Sequence, residues 1–168
     1  MTHRIEDASE PLRRLWESYG SLHLPYRMLI VAKMLERLAS ASILKGERLT
    51  LAEWRVMANL LRTGASTVNA IAAEAWVDRA EVSRASRSLE QQGLIERRAH
   101  PSSKTRRLLR LSDGGRLTAE RIAGQRREFY AWLMAGLGEE ECQAFDDVLL
   151  HFAVRIERLD QAEQKAWS

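Results

Sequence analysis

Apolar residues recur at three- and four-residue spacing through most of the chain, the period of one face of an α-helix. Leu12, Leu15, Trp16 and Tyr19 form a first stripe. Positions 20–25 interrupt it, because Pro25 is poorly tolerated inside a helix. Tyr26, Ile30, Met34 and Leu38 form a second stripe, closed by Lys45-Gly46. Thr50-Leu-Ala-Glu53 is a capping box, in which each of the two side chains accepts from the other's backbone N–H. The helix it opens runs to about Arg62 with Trp54, Met57, Leu60 and Leu61 inward, and Thr63-Gly64 stops it. Thr67 then caps a short helix, Val68 to Ala75, with Ile71 and Ala72 inward. After the turn Trp76-Val77, Asp78 caps a further helix, about Arg79 to Gln92, ended by Gly93.

The period changes after Gly93. Leu94–Ala99 and Arg106–Leu111 read as short strands around a polar tip, His100–Thr105, and so as a β-hairpin. Ser112 caps a long helix to about Ala135, and positions 136–138 break the chain. Glu139, Glu140 and Glu141 suit a helix N-terminus, where negative charge meets the positive end of the dipole. The final helix carries Phe145, Leu149, Phe152, Ile156 and Leu159 on one face. The expected fold class is mainly α with a small β-hairpin (α+β).

Composition narrows the class. With 168 residues, 45% of them hydrophobic and 29% charged, the chain can bury one ordinary core under a well-solvated surface. No apolar run approaches the ~20 residues of a membrane span, and positions 1–10 have no signal-peptide core. The single Cys142 has no internal disulfide partner. A cytoplasmic protein without membrane association is expected.

Charge is more informative. Between residues 79 and 110 lie nine Lys or Arg against three Glu, a local excess of six on a chain whose net charge is +3. A basic island on an otherwise slightly acidic chain suits a polyanion, although a solvated charged face is the commoner meaning of such a cluster. The helix at 79–92 decides between them. At 100° per residue Val82, Ala85 and Leu89 share one side, which must pack inward. The opposite side carries Ala80, Ser83, Arg84, Arg87 and Gln91, with Arg79 on its flank. Small residues let a helix approach a groove floor, and Arg pairs bidentately with guanine O6 and N7. Two short helices joined by Trp76-Val77-Asp78, the second basic, suit a helix-turn-helix. The hairpin then reads as a wing, with Lys104, Arg106 and Arg107 at or near its tip for the minor groove and Arg97, Arg98 and Arg110 flanking the backbone.

Four segments in this order resemble the MarR-type (multiple antibiotic resistance regulator) family: Leu49-Thr-Leu-Ala-Glu-Trp54-Arg-Val-Met, Asp78-Arg-Ala-Glu-Val-Ser83-Arg84, Leu89-Glu-Gln-Gln-Gly93-Leu-Ile and Arg106-Arg107-Leu-Leu-Arg-Leu111-Ser-Asp-Gly-Gly115. The resemblance implies a winged helix-turn-helix at 49–112 between dimerisation helices at 1–48 and 113–168. It implies a homodimer on double-stranded DNA at a palindromic operator, most simply a repressor, released by a small effector that is often a phenolic or aromatic acid. The apolar stripes at 12–38 and 129–159 fit helices buried between two chains. One departure stands out. The family's wing carries an Asp followed two residues later by an Arg, whereas Ser103 and Thr105 hold those places here and the arginines stand at 106 and 107.

For the effector the resemblance suggests a site between dimerisation helices and DNA-binding domain, with Tyr19, His23, Tyr26, Arg27, Trp54 and Met57 as lining. An Arg or His beside aromatics suits a carboxylate on a ring, although aromatics at helical spacing are more often core. Other functions find less support. His3, His23, His100 and His151 form no metal-ligand spacing, and no metal or other cofactor is expected. Cys142 near a helix start suits a redox sensor, but Glu139, Glu140 and Glu141 oppose a lowered thiol pKa. No Gly-rich phosphate loop, nucleophile elbow or paired-carboxylate motif is present, so no catalytic residues and no enzyme are expected. A helical adaptor that docks an acidic protein on the basic face remains the alternative to DNA binding.

Overall fold

The computed structural model describes residues 4–18, 23–44, 46–100 and 103–166, with the side chains at 42–43, 100, 103–106 and 162–166 set aside. A 3₁₀ turn at Ile5–Asp7 precedes helices α1 (Glu10–Glu17) and α2 (Leu24–Ala39), and a π-helical turn (Ser40–Leu44) closes the latter. Pro25 falls in the first turn of α2, where its missing N–H costs nothing. Then follow α3 (Leu51–Thr63), β1 (Ala65–Ser66), α4 (Val68–Ala75), α5 (Arg79–Gln91), β2 (Ile95–His100), β3 (Ser103–Leu111), α6 (Asp113–Leu133) and α7 (Glu139–Ala166). The two long hairpin strands appear where the period changes, but β3 starts three residues earlier than the sequence suggests. The two-residue strand β1 is too short to leave a periodic signal. It pairs antiparallel with β3 on the side away from β2, giving the order β1-β3-β2.

Helix α3 is the centre of the core and packs on α5, α6, α4 and β3. Val56, Met57 and Leu60 of α3 are sealed from solvent, together with Leu44, Ile71, Leu89, Leu109 and Ile122. The inward face of α5 is Val82, Ala85 and Leu89 as the helical arithmetic requires, with Ser86 added. Burial of Ser86 is made tolerable by its hydroxyl, which donates to the Val82 carbonyl at 2.7 Å.

The capping box forms as expected and does more than start α3. The Glu53 carboxylate accepts from the Thr50 backbone N–H (2.7 Å) and hydroxyl (2.9 Å), and also from the Gln92 side-chain amide at the far end of α5 (3.0 Å). The carboxylate is nearly buried, and all of these donors are neutral. Burial alone would push its pKa up, but hydrogen bonds from Ser88, Thr50 and Gln92 prevail and hold it below the ordinary value.

The junction of α5, β2 and α6 is equally close. The Ser112 N–H donates to the Leu94 carbonyl (3.0 Å), its hydroxyl donates to the Gly93 carbonyl (2.7 Å), and the Gly115 N–H donates to the Ser112 oxygen (3.0 Å). A Cβ on Gly115 would lie 1.9 Å from the Leu94 carbonyl oxygen, so only glycine fits.

Two stability predictions follow from these contacts. Glu53→Gln loses the charge-assisted part of the latch and should cost about 1 kcal/mol at neutral pH. A carboxyl with a depressed folded-state pKa stabilises fully above its unfolded value of about 4.3, and that contribution vanishes as pH falls through the folded value. The difference between wild type and E53Q in urea unfolding should therefore shrink below about pH 4. Gly115→Ala should cost on the order of 3 kcal/mol, because backbone must move, and should lower the thermal midpoint by several degrees.

Candidate nucleic-acid interface

The turn between α4 and α5 sets the geometry of the basic face. The Asp78 carboxylate accepts from the N–H groups of Ala80 (2.8 Å) and Glu81 (3.1 Å), which fixes the start of α5. With Val82, Ala85, Ser86 and Leu89 locked inward, the outer edge of α5 must carry the remaining residues. Arg79, Ala80, Arg84, Arg87 and Gln91 are exposed there, and Ser83 is half-buried beside them. Arg79 is oriented by α4, since its Nε donates to the Asn69 side-chain oxygen at 2.7 Å. The Arg87 Nε donates back to the Ser83 carbonyl at 3.4 Å.

The wing arginines divide into two groups. Glu96 and Arg110 face each other across the β2–β3 register, and the Glu96 carboxylate accepts from Arg110 at 2.8 and 3.0 Å and from Arg98 at 3.4 Å. Arg110 does most to hold the Glu96 carboxyl below its ordinary pKa, with Arg98 adding to the effect. Arg97 donates to Glu90 at 2.6 Å, tying β2 to α5. All three arginines are thus paired with carboxylates of the wing and of α5. By contrast Arg79, Arg84, Arg87 and Arg107 form no ion pair with any described residue. The side chains of Lys104 and Arg106, also expected in the wing, lie outside the described residues.

Helix and wing meet around a polar recess of about 380 Å³ lined by Thr67, Asn69, Arg79, Ser83, Arg97 and Arg107. The sequence marks Thr67 only as the cap of α4 and does not single out Asn69 within it; tertiary packing carries both to the recess. The bracing partners Glu90 and Glu96 were also missed, because a carboxylate within a basic run shows its partner only when the strand register is known.

The suggested effector residues do not gather in one place. Met57 is sealed in the core and Trp54 is 8% exposed. His23 and Tyr26 are exposed on the first turn of α2, and Tyr19 lies outside the described residues. Arg27 is the one that lines a cavity, of about 540 Å³, enclosed by Trp16 of α1, Met28, Val31 and Leu35 of α2 and Phe145, Leu149 and Phe152 of α7. Its guanidinium stacks on the Trp16 ring at 4.8 Å and donates to the Trp16 carbonyl at 2.5 Å. Trp54 instead meets Arg126, whose guanidinium lies 5.7 Å from the Trp54 ring and 5.3 Å from the Tyr130 ring. Cys142 is half-buried. Among the described residues no three His, Cys, Asp or Glu gather as metal ligands, and no helix is long and apolar enough to cross a membrane.

Comparison with known proteins fits this geometry. Residues 49–106 match the MarR family model. No curated protein sequence matches the chain. Among solved structures, the transcriptional regulator SlyA superposes with a TM-score of 0.73 at 21% identity, over 80% of this chain and 94% of that one. The MarR family regulator NMB1585 from Neisseria meningitidis superposes with a TM-score of 0.69 at 20% identity, over 86% of this chain and 99% of that one. NadR, solved in complex with 4-hydroxyphenylacetate, superposes with a TM-score of 0.66 at 24% identity, over 80% and 94% of the two chains. Residues 49–106 thus match the MarR family model, and the fold of the chain is the one seen in these solved regulators.

Proposed function

We propose that this protein is a sequence-specific repressor that binds a palindromic operator as a homodimer and is released by a small aromatic acid. One observation carries the reading. The exposed edge of α5 presents Arg84 and Arg87 without carboxylate partners among the described residues, while Arg97, Arg98 and Arg110 of the wing are paired with Glu90 and Glu96. A protein that used its basic island merely for solubility would have no need to separate bracing from available arginines. In this reading Ala80, Ser83, Arg84, Arg87 and Gln91 enter the major groove, and the recess of Arg79, Ser83 and Arg107 receives a backbone phosphate. Arg97, Arg98 and Arg110 hold the wing in place, and Arg107 with Lys104 and Arg106 reaches the adjacent groove.

The homodimer rests on apolar surface that one chain leaves uncovered. Leu29 and Leu38 of α2, Trp132 of α6 and Leu150, Ile156 and Leu159 of α7 are each about half exposed or more. Among the described residues, α7 makes only sparse backbone contacts with other elements. So much apolar surface is a hazard unless a second chain covers it. Two-fold pairing would set two copies of α5 about one DNA turn apart, ~34 Å. For the effector, the cavity at Arg27 combines a cation with aromatic walls, which suits a ring bearing a carboxylate. The aromatic acid in the NadR structure favours the same chemistry. An effector changes DNA affinity there only if it binds one spacing of the two recognition helices better than another.

Selection of random duplexes by the purified protein should enrich a palindrome of about two helical turns. Arg84→Ala and Arg87→Ala should each weaken binding to that site by ~1–3 kcal/mol and relax base preference at particular positions. Arg107→Ala should weaken all sequences alike and reduce the salt slope by about one. Loss of affinity without any change in base preference in all three variants would point to the adaptor reading. Light scattering at micromolar concentration should give the mass of a dimer, and a monomer would remove the two-site geometry.

A further inference from the structure

Two arginines at the recess between helix and wing are held by acceptors that differ in charge. Arg97 donates to the Glu90 carboxylate, a pair in which the two charges cancel. Arg79 donates through Nε to the Asn69 side-chain oxygen at 2.7 Å, and that acceptor is neutral. Arginine can only donate, so the amide must turn its carbonyl oxygen towards the guanidinium. The bond joins the first residue of α5 to the second residue of α4, and both residues are exposed. Arg79 makes no ion pair with a described residue. The recess they line with Thr67, Ser83, Arg97 and Arg107 has no carboxylate among its described walls. None of those walls belongs to α2, α6 or α7, the helices whose apolar residues call for a second chain, so dimer formation leaves the recess open.

We infer that Asn69 is a positioning residue for DNA binding: it holds the Arg79 guanidinium at the recess and leaves its positive charge uncancelled for a backbone phosphate. This rests on the reading of α5 and the wing as a DNA-binding face. A free arginine side chain loses rotamer freedom when it meets an anion, and a preformed hydrogen bond removes part of that cost beforehand. The bond occupies one of five N–H donors. The four on the terminal nitrogens remain for phosphate oxygens, which arginine can bind in pairs. A carboxylate at position 69 would hold the side chain equally well but cancel its charge, as Glu90 does for Arg97. An apolar residue there would keep the charge but release the side chain. The ligand of Arg79 is a phosphate and not a base, because Arg79 is tied to α4 and lines the recess, whereas Arg84 and Arg87 stand farther along α5 and do not line it.

The test is duplex binding by the full chain, read by fluorescence anisotropy over a series of salt concentrations, for wild type, Asn69→Asp, Asn69→Ala and Arg79→Ala. Asn69→Asp keeps an acceptor for Arg79 but should weaken binding about tenfold and lower the salt slope by about one per chain, as Arg79→Ala does. Asn69→Ala should weaken binding only about threefold and keep the wild-type salt slope, because the charge remains. Arg79→Ala and the double variant Asn69→Ala/Arg79→Ala should bind alike, since Asn69 acts through Arg79. Base preference in selected duplexes should be the same in every variant. A folding defect would read differently. Asp in the first turn of α4 meets the positive end of the helix dipole, so the thermal midpoint of Asn69→Asp should hold or rise while binding falls. A wild-type salt slope in Asn69→Asp, a changed base preference in that variant, or a double variant clearly weaker than Arg79→Ala would each overturn the inference and leave the proposed function standing. Failure of the wild type to bind any duplex would overturn both.

Discussion

The orientation of α5 depends on its being held against α3 along one edge and at both ends. Val82, Ala85, Ser86 and Leu89 are buried against a core centred on Val56, Met57 and Leu60, and this leaves no rotational freedom about the helix axis. Asp78 caps one end. Glu53 grips the other through Gln92, and the same carboxylate starts α3. A rotation of one residue, 100°, would carry Arg84 and Arg87 from the exposed edge towards the core. The arginines available for a ligand are thus placed by residues that never touch it.

The wing shows the same division between holding and presenting. Three of its arginines are neutralised by Glu90 and Glu96, so their positive charge supports the hairpin without adding fully to the field of the face. These pairs are exposed and individually weak. Their geometry matters more than their energy, since one crosses the two strands and another ties β2 to the end of α5. The Asp two residues ahead of an Arg, usual in the wing of the MarR-type family that the sequence resembles, is absent from Ser103-Lys-Thr105, and the acids that pair with the wing arginines lie on β2 and α5. Gly115 completes the arrangement by letting α6 start against the Leu94 carbonyl, directly beneath the sheet.

Helices α1, α2 and α7 obey a different constraint. Their stripes have the period of buried helix faces, yet Met34 and Leu38 of α2 and Phe145, Ile156 and Leu159 of α7 are exposed within one chain, and Leu12, Leu15 and Trp16 of α1 are only half-buried. Such a pattern is unstable in water unless something covers it, and it explains why the chain has more apolar surface than its winged-helix core can use.

Much of this was legible in the sequence, because the responsible interactions are local. Capping at Thr50, Thr67, Asp78 and Ser112 involves residues within three positions, the inward face of α5 follows from its 100° period, and the change to strands at Gly93 follows from turn chemistry. Local signals also placed Arg84 and Arg87 on the outer edge. What only the tertiary structure decided are the pairings between residues far apart along the chain. Glu53 with Gln92, Arg97 with Glu90 and Arg110 with Glu96 depend on packing and strand register, as does the pairing of β1 with β3. The residues that the sequence suggested for an effector were the least legible. A helical stripe of aromatics looks the same whether it lines a cavity or fills a core, and burial alone separated Arg27 at its cavity from Met57 in the interior.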